Sequence, residues 1–143
     1  INQQTTLYPK KKLKKILPVK HQQFLLLHSE DNRVYLEKRP PTGLWGGLWC
    51  LPYIDDMVTC PIEYLAQNYS LTSEQNKELL TIKHSFSHFH LYIKALALKT
   101  KSKKNVLSWC PGSWFAATEI HRLGLAKPVR TIIHHFFSTL CIW

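Results

Sequence analysis

VYLEKRPPTGLWGGLWCLP, residues 34–52, is the stretch that decides the fold. It opens with Val34 and Leu36 alternating with Tyr35 and Glu37, and this period of two predicts a β-strand. The residues just before it, HQQFLLLHSEDNR, contain an apolar run that predicts a buried strand, followed by turn residues. We therefore expect the two segments to form a strand hairpin.

The rest of the stretch is glycine-rich and holds three of the chain's five glycines and two of its five tryptophans. Glycine-rich turns can hold phosphate, but the P-loop and dinucleotide-binding motifs require spacings that GLWGGLW does not have. Glycine also permits backbone conformations that let the bulky Trp45 and Trp49 turn inward. We therefore predict a shaped structural loop, built on Gly43, Gly46 and Gly47, that leads into a short strand.

A second pair of strands is predicted around HSFSHFH, residues 84–90. ELLTIKH and HFHLYIKALAL both suit strands, and the residues between them allow a tight connection. In the second strand, alternation separates an apolar face from a mostly polar one. The apolar face comprises Phe89, Leu91, Ile93, Ala95 and Ala97, and the other comprises His88, His90, Tyr92 and Lys94.

The three histidines of this segment, His84, His88 and His90, raise the possibility of a zinc or nickel site. Against that interpretation, the segment has no acidic residue or cysteine to orient the imidazoles. The four cysteines of the chain also form no C-x-x-C pair and no spacing typical of zinc or iron–sulfur ligands. We therefore predict no metal, and the residues alone favour half-buried strand histidines.

Two amphipathic helices complete the prediction. PIEYLAQNY, residues 61–69, and KPVRTIIHHFFSTL, residues 127–140, each have apolar side chains at helical spacing and a proline near the start. NVLSW and GSWFAA suit short strands or loops. Strands with a short middle helix and a C-terminal helix predict an α/β (α+β) mixed-sheet sandwich. The apolar positions are Ile62, Leu65, Ala66 and Tyr69 in the first helix, and Val129, Ile132, Ile133, Phe136, Phe137 and Leu140 in the second.

The charge is strongly positive, with 19 Lys and Arg against nine Asp and Glu and a net charge of +10. Lysines concentrate between Lys10 and Lys20 and again between Lys99 and Lys104. Such runs suit either a solvated surface or a phosphate backbone. Residues 1–20 are polar, basic and interrupted by prolines, so we predict a basic linker there and one domain over residues 21–143.

The chain begins with Ile1, and its only methionine is Met57. Because the chain does not begin with methionine, we expect an excised portion of a longer protein. Since no apolar run resembles a signal peptide or a membrane span, we expect that protein to be cytoplasmic. We also expect reduced thiols, no membrane association and a monomer.

VYLEKRPPTGLWGGLWCLP, HSFSHFHLYI and GLAKPV, in this order and spacing, closely resemble the C-terminal domain of bacterial adenine DNA glycosylases, the MutY family. The resemblance extends from about Phe24 to the last helix. It is far more specific as a combination than any one motif, since phenylalanine-serine-histidine occurs by chance in many proteins. It implies a Nudix-like fold, similar to that of the MutT family of nucleotide hydrolases. It also implies a role in base excision repair, the recognition of 8-oxoguanine paired with adenine in double-stranded DNA.

In the MutY family, the glycosidase chemistry belongs to an N-terminal helical domain with an iron–sulfur cluster, a catalytic glutamate and a catalytic aspartate. The resemblance implies that such a domain, in the same protein, is the partner of this chain. We therefore expect no catalytic residue and no cofactor within these 143 residues.

Phe86, Ser87 and His88 match the family's phenylalanine-serine-histidine loop, which inserts towards the oxidised base. Guanine has a lone pair at N7, whereas 8-oxoguanine has N7–H there and a new carbonyl at C8. A serine hydroxyl can accept from N7–H or donate to the carbonyl, so Ser87 is the expected reader. Phe86 is expected to anchor the loop, and His88 to bind a phosphate or brace Ser87.

Phosphate contacts are expected from basic residues along the chain. For the lysines of the two runs, simple solvent exposure is the competing interpretation. The basic residues beside Pro40 and Pro41 are weaker candidates of the same kind. The candidates are Lys10, Lys11, Lys12, Lys14, Lys15, Lys38, Arg39, Lys101, Lys103 and Lys104.

Two alternatives remain open, an active Nudix hydrolase of oxidised nucleotides and a metal-binding or general nucleic-acid-binding module. Nudix hydrolysis needs several carboxylates on one helix to hold magnesium. The corresponding stretch has only Asp55, Asp56 and Glu63, so we do not expect this activity.

Overall fold

The structure is a computed structural model that describes residues 16–43, 45–69, 71–102 and 112–140. Within these ranges, seven strands form one sheet and three helices are present. No helix among the described residues is long and apolar enough to span a membrane. The elements are β1 Val19–His28, β2 Val34–Lys38, β3 Trp49–Cys50, β4 Tyr53–Asp55, α1 Pro61–Tyr69, β5 Leu71–Ser85, β6 His90–Ser102, β7 Gly112–Phe115, α2 Ala117–Ile120 and α3 Lys127–Thr139.

The strand order is β3-β2-β1-β6-β5, with β4 paired to β1 and β7 paired to β2. β1 and β6 run parallel along their whole common length, from Val19 opposite His90 to His28 opposite Lys99. The other pairs are antiparallel, including the predicted hairpin of β1 and β2. The sheet is therefore mixed, as expected.

Two apolar cores lie on opposite faces of this sheet, because side chains alternate along each strand. On β1, Phe24 and Leu26 join one core, and Leu25 and Leu27 join the other. α3 covers the first core, and α1 contributes its buried Leu65 to the second. The predicted sandwich is confirmed, with a middle helix and a C-terminal helix on opposite faces.

The helices follow the predicted patterns with two corrections at their margins. Five of the six predicted positions on α3, from Val129 to Phe137, are buried. Leu140, however, is 40% exposed because the helix ends at Thr139. On α1, Leu65 is buried as predicted, whereas Ala66 is exposed, because the helix is short and meets the core mainly through Leu65.

The hairpin of β5 and β6 also differs from the prediction, because β5 begins at Leu71, seven residues before the predicted strand, and both ends of β6 are displaced. His88 and Phe89 lie in a turn and not on the strand, because β6 begins only at His90. At its other end β6 continues through Lys99 and Lys101, beyond Leu98, where the predicted strand ends. The parallel pairing with β1 extends the strand there. The GSWF segment forms β7, while NVLSW lies outside the described residues.

β1 begins at Val19, so the last two residues of the predicted linker belong to the sheet. The linker up to residue 15 lies outside the described residues.

The glycine-rich loop is tightly organised. Gly43 and Gly47 have φ values of 89° and 77°, which favour glycine, and Gly46 has no room for a side chain. A Cβ added to Gly46 would lie 2.6 Å from the carbonyl oxygen of Pro41. The two tryptophans, Trp45 and Trp49, are half-buried against the first core, which confirms their predicted inward orientation.

Candidate functional site

The residues of the phenylalanine-serine-histidine segment form a tight turn between β5 and β6. The backbone N–H of Phe86 donates a hydrogen bond of 2.8 Å to the carbonyl of Phe89 and closes the turn. This geometry leaves Ser87 and His88 at the tip, where both are exposed. The two flanking phenylalanines are half-buried against the first core. The turn therefore presents a hydroxyl and an imidazole on an apolar base.

That base is a cluster of aromatic rings, which we call the aromatic base: Trp45, His84, Phe86 and Phe89. The ring centroid of Phe86 lies 4.7 Å from that of Phe89 and 4.6 Å from that of His84. Trp45 reaches the same ring from the glycine-rich loop, at 5.8 Å. Aromatic contacts at such distances stabilise a fixed arrangement. Phe86 is thus packed on three other rings at the base of the turn.

The three histidines have separate environments. His84 packs edge-on against Phe86, and His88 is at the tip of the turn. Nδ1 of His90 lies 2.8 Å from Oγ of Ser85 on the neighbouring strand. Among the residues that the structure describes, no group of three or more His, Cys, Asp or Glu side chains is arranged to hold a metal ion.

Two cations lie over aromatic rings, Lys20 at the base of the turn and Arg39 at β4. Nζ of Lys20 is 4.4 Å from the ring centroid of Phe89, and Cζ of Arg39 is 4.9 Å from that of Tyr53. The guanidinium of Arg39 also donates a hydrogen bond to the Tyr53 hydroxyl. Cation–π contacts of this kind hold a charge in a defined position while leaving it open to solvent.

A continuous path of rings connects these cations to the aromatic base. Tyr53 stacks on Phe24 at 5.6 Å, and Phe24 meets Trp45 edge-on at 6.0 Å. Lys20 thus lies directly on the aromatic base, whereas Arg39 is connected to it through the core, by way of the buried Phe24.

The other predicted basic residues are placed differently. Lys38 lies with Nζ 6.0 Å from the Trp49 ring centroid, at the start of the glycine-rich loop. Lys101 is exposed near the far end of β6, roughly 35 Å from the turn at the usual rise of a strand. The remaining candidates, Lys10, Lys11, Lys12, Lys14, Lys15, Lys103 and Lys104, lie outside the described residues.

Lys20 and Trp45 were not singled out as site residues from the sequence. Lys20 was counted only within the lysine run, although it stands opposite Leu91 in the parallel pairing of β1 with β6. Trp45 was predicted only to be structural. The alternation of β1 indicates which way Lys20 points, but its neighbour depends on a strand pairing that no local pattern shows.

The carboxylates that a Nudix hydrolase would need are few and dispersed. Oδ1 of Asp55 accepts a hydrogen bond of 2.9 Å from the backbone N–H of Met57. Oε1 of Glu63, the single carboxylate of α1, accepts one of 3.4 Å from Gln67. The described part of the chain can therefore present hydrogen-bonding groups and positive charge, which suits binding.

The α/β/α sandwich with this mixed sheet defines the class of protein. A model of the NUDIX domain matches residues 23–135, and the chain belongs to this family. Within it, the chain matches the C-terminal portion of adenine DNA glycosylases, the MutY proteins.

The adenine DNA glycosylase of Buchnera aphidicola subsp. Schizaphis graminum is 32% identical over 130 residues, which cover 90% of this chain and 37% of that protein. The chain thus spans a little over a third of the length of the curated relatives that it matches. Two solved structures share the fold at low sequence identity. The C-terminal domain of mouse MUTYH, solved in complex with human PCNA, has a TM-score of 0.64 at 14% identity, covering 86% of this chain and 90% of that one. A MutT NUDIX hydrolase from Burkholderia pseudomallei has a TM-score of 0.64 at 16% identity, covering 82% and 97%.

Proposed function

We propose that this chain is the lesion-recognition domain of an adenine DNA glycosylase and reads 8-oxoguanine opposite adenine in double-stranded DNA. The observation that carries the proposal is the exposed Ser87 at the tip of a turn held on the aromatic base. The match to adenine DNA glycosylases over 90% of the chain supports the assignment.

Ser87 has the chemistry to distinguish the two purines. Its hydroxyl accepts from N7–H of 8-oxoguanine or donates to the carbonyl at C8, and guanine lacks both groups. A good hydrogen bond to a base edge contributes about 1–3 kcal/mol of discrimination. On this proposal His88, which is exposed beside Ser87, contacts a phosphate of the strand that carries the oxidised base.

Lys20, over Phe89 at the base of the turn, and Arg39, over Tyr53, provide positive charge for contacts to the DNA backbone. Contacts to phosphate position a protein on DNA without reading sequence, so these cations would bring Ser87 to the base edge. Lys38, at the start of the glycine-rich loop, extends the same basic region.

Removal of the adenine is assigned to a separate N-terminal catalytic domain of the same protein, with its iron–sulfur cluster. The described residues of this chain include no group of three or more His, Cys, Asp or Glu side chains arranged to hold the metal ion that pyrophosphate hydrolysis needs. On this proposal, the chain alone binds and the whole protein catalyses.

The test replaces Ser87 by alanine in the full-length glycosylase. We expect Ser87→Ala to lower the preference for 8-oxoguanine:adenine over guanine:adenine duplexes by a factor on the order of tenfold, because one base-edge hydrogen bond is lost. The measurement is the ratio of dissociation constants for the two duplexes, together with the ratio of single-turnover rates of adenine release.

Ser85→Ala is the matched control, because Ser85 lies two residues earlier on β5 and bonds to His90 and not to the tip of the turn. It should leave both ratios unchanged. A Ser87→Ala protein with the wild-type preference would show that the oxidised base is read elsewhere.

A further inference from the structure

We propose that Trp45, in the glycine-rich loop, is a positioning residue that sets where Ser87 meets the oxidised base. The proposal rests on the function assigned above and adds a residue far from the turn in sequence. On this proposal, the glycine-rich loop helps to position Ser87 for recognition of the base, in addition to packing on the core.

The indole ring of Trp45 lies between the turn and the core. Trp45 lies 5.8 Å from Phe86, which immediately precedes Ser87, and 6.1 Å from His84 on the same strand. On its other side, the indole meets Phe24 edge-on at 6.0 Å. Phe24 is completely buried in the middle of β1. Trp45 therefore connects the turn to a fully buried residue of the core.

The backbone at Trp45 is held in an unusual conformation by the glycine-rich loop. Trp45 has a φ of 53°, a left-handed conformation that costs free energy for any side chain other than glycine. Such a conformation persists only when its surroundings impose it. Here the N–H of Gly47 donates to the carbonyl of Pro40 at 2.9 Å, and the N–H of Leu48 donates to the carbonyl of Trp45 at 3.1 Å.

The loop is also closed at its base. The N–H of Arg39 donates to the carbonyl of Leu48 at 2.8 Å, and Gly46 approaches Pro41 too closely to admit a Cβ. The direction of the Trp45 ring is thus determined by the loop and not by the turn. The contact between them places the turn relative to Arg39, which stands at the start of the same loop.

The consequence concerns discrimination more than affinity. A hydrogen bond from Ser87 to a base edge requires its donor and acceptor within about 3 Å of each other. A displacement of about 1 Å at a distance from the chemistry can cost as much as a hundredfold in rate. Loss of the Trp45 ring would release Phe86 and move the hydroxyl, while Lys20 and Arg39 would still hold phosphate.

The experiment compares Trp45→Leu, Trp45→Phe and Trp49→Leu in the full-length glycosylase. Trp49→Leu is the matched control, because Trp49 is also half-buried against the first core but packs on Phe115, with ring centroids 5.1 Å apart. The readouts are the preference for 8-oxoguanine:adenine over guanine:adenine duplexes, the affinity for undamaged duplex, and the free energy of unfolding in urea.

We expect Trp45→Leu to lower the preference by a factor on the order of tenfold while the affinity for undamaged duplex stays near the wild-type value. Trp45→Phe, which keeps an aromatic contact with Phe86, should restore most of the preference. Trp49→Leu should lose stability to a similar extent and keep the preference. If Trp45→Leu and Trp49→Leu lowered the preference equally, Trp45 would have only a structural role.

If Trp45→Leu does not fold, Phe86→Leu combined with Trp45→Phe gives the same test through a double-mutant cycle. Coupling between the two substitutions in the preference supports the proposal, and additivity overturns it. Ser87→Ala separates the two proposals. Loss of preference in Ser87→Ala but not in Trp45→Leu would overturn the role of Trp45 alone, whereas an unchanged preference in Ser87→Ala would overturn the assigned function.

Discussion

In the segment around Ser87, the three histidines first suggest a function, yet the proposed function depends mainly on the serine. The ring of His84 packs on that of Phe86, and the ring of His90 contacts the hydroxyl of Ser85. Ser87 has the least conspicuous side chain of the segment, yet the turn leaves it exposed. Its importance to the proposed function comes from a hydroxyl that can both donate and accept, at a position that the backbone presents outward.

A different histidine, His28 at the end of β1, has a perturbed pKa. Burial lowers the pKa of His28 below its ordinary value of 6.5, and the charge of Lys99 lowers it further. Its ring lies 4.8 Å from that of Phe136 on α3, so the end of the C-terminal helix shields it from water. The neutral imidazole is therefore the form that the folded state favours.

This shift predicts a loss of stability in mild acid. Below pH 6.5 the unfolded chain binds a proton at His28 that the folded state binds only at lower pH. The free energy of unfolding should therefore fall as the pH decreases from 7 to 5, with a slope of at most about 1.4 kcal/mol per pH unit. Urea unfolding of the wild type and His28→Gln at several pH values measures this slope.

The variant should show a flatter dependence than the wild type over this range. His135→Gln, at an exposed position on α3, serves as the control and should retain the wild-type slope. Equal slopes in all three proteins would contradict a special contribution of His28.

At the scale of elements, the junction of β7 with β2 depends on a close approach between backbones. The N–H of Gly112 donates a hydrogen bond of 2.8 Å to the hydroxyl of the buried Tyr35. A Cβ at Gly112 would lie 2.2 Å from the carbonyl oxygen of Leu36, a distance that requires the backbone to move. Glycine is needed here for space and not for its backbone conformation.

Gly112→Ala should therefore destabilise the domain by about 1–3 kcal/mol, the usual cost of overpacking. Gly124→Ala is the comparison, because its added Cβ would lie 3.3 Å from a methyl group of Leu48, which can shift. Chemical denaturation of the two variants measures the difference. Equal stability of the two variants would mean that β7 adjusts freely against β2.

The length of β6, 13 residues, sets the distance between the turn and the basic residues at the other end of the strand. The strand carries the turn at its start and Lys101 near its other end. Lys101 therefore lies roughly 35 Å from the turn, whereas Lys20 lies over Phe89 at its base. On the proposed function, Lys20 and not Lys101 is therefore expected to contact DNA beside the base that Ser87 reads.

For the molecule as a whole, this separation predicts unequal roles for the basic residues in DNA binding. Lys20→Ala and Arg39→Ala in the full-length glycosylase should each weaken binding to lesion and undamaged duplexes alike. Each should also reduce the slope of log affinity against log salt by about 1, since each removes one phosphate contact. Fluorescence anisotropy over a range of salt concentrations gives both quantities.

Lys101→Ala removes a charge of the same sign at the distant end of β6 and should leave the slope near the wild-type value. A larger effect at Lys101 than at Lys20 would place the DNA at the opposite end of the sheet.

The local elements and the motif could be read from the sequence because they depend on neighbouring residues. Alternation along the strands, the apolar stripe of α3 and the tight connection at Ser87 all follow from backbone geometry within a few positions. The ends of β6 were predicted less well. Its extension through Lys99 depends on pairing with β1, and its start at His90 on a turn closed between Phe86 and Phe89.

The sandwich of strands and helices and the position of the phenylalanine-serine-histidine turn could both be predicted from the sequence alone. The tertiary structure alone decided that Lys20 lies over Phe89, that Trp45 meets Phe86 and that Lys101 is far from both. These placements depend on strand order and on contacts between residues far apart in the chain. Such contacts leave no local period in the sequence, because their partners are chosen by packing of the whole domain.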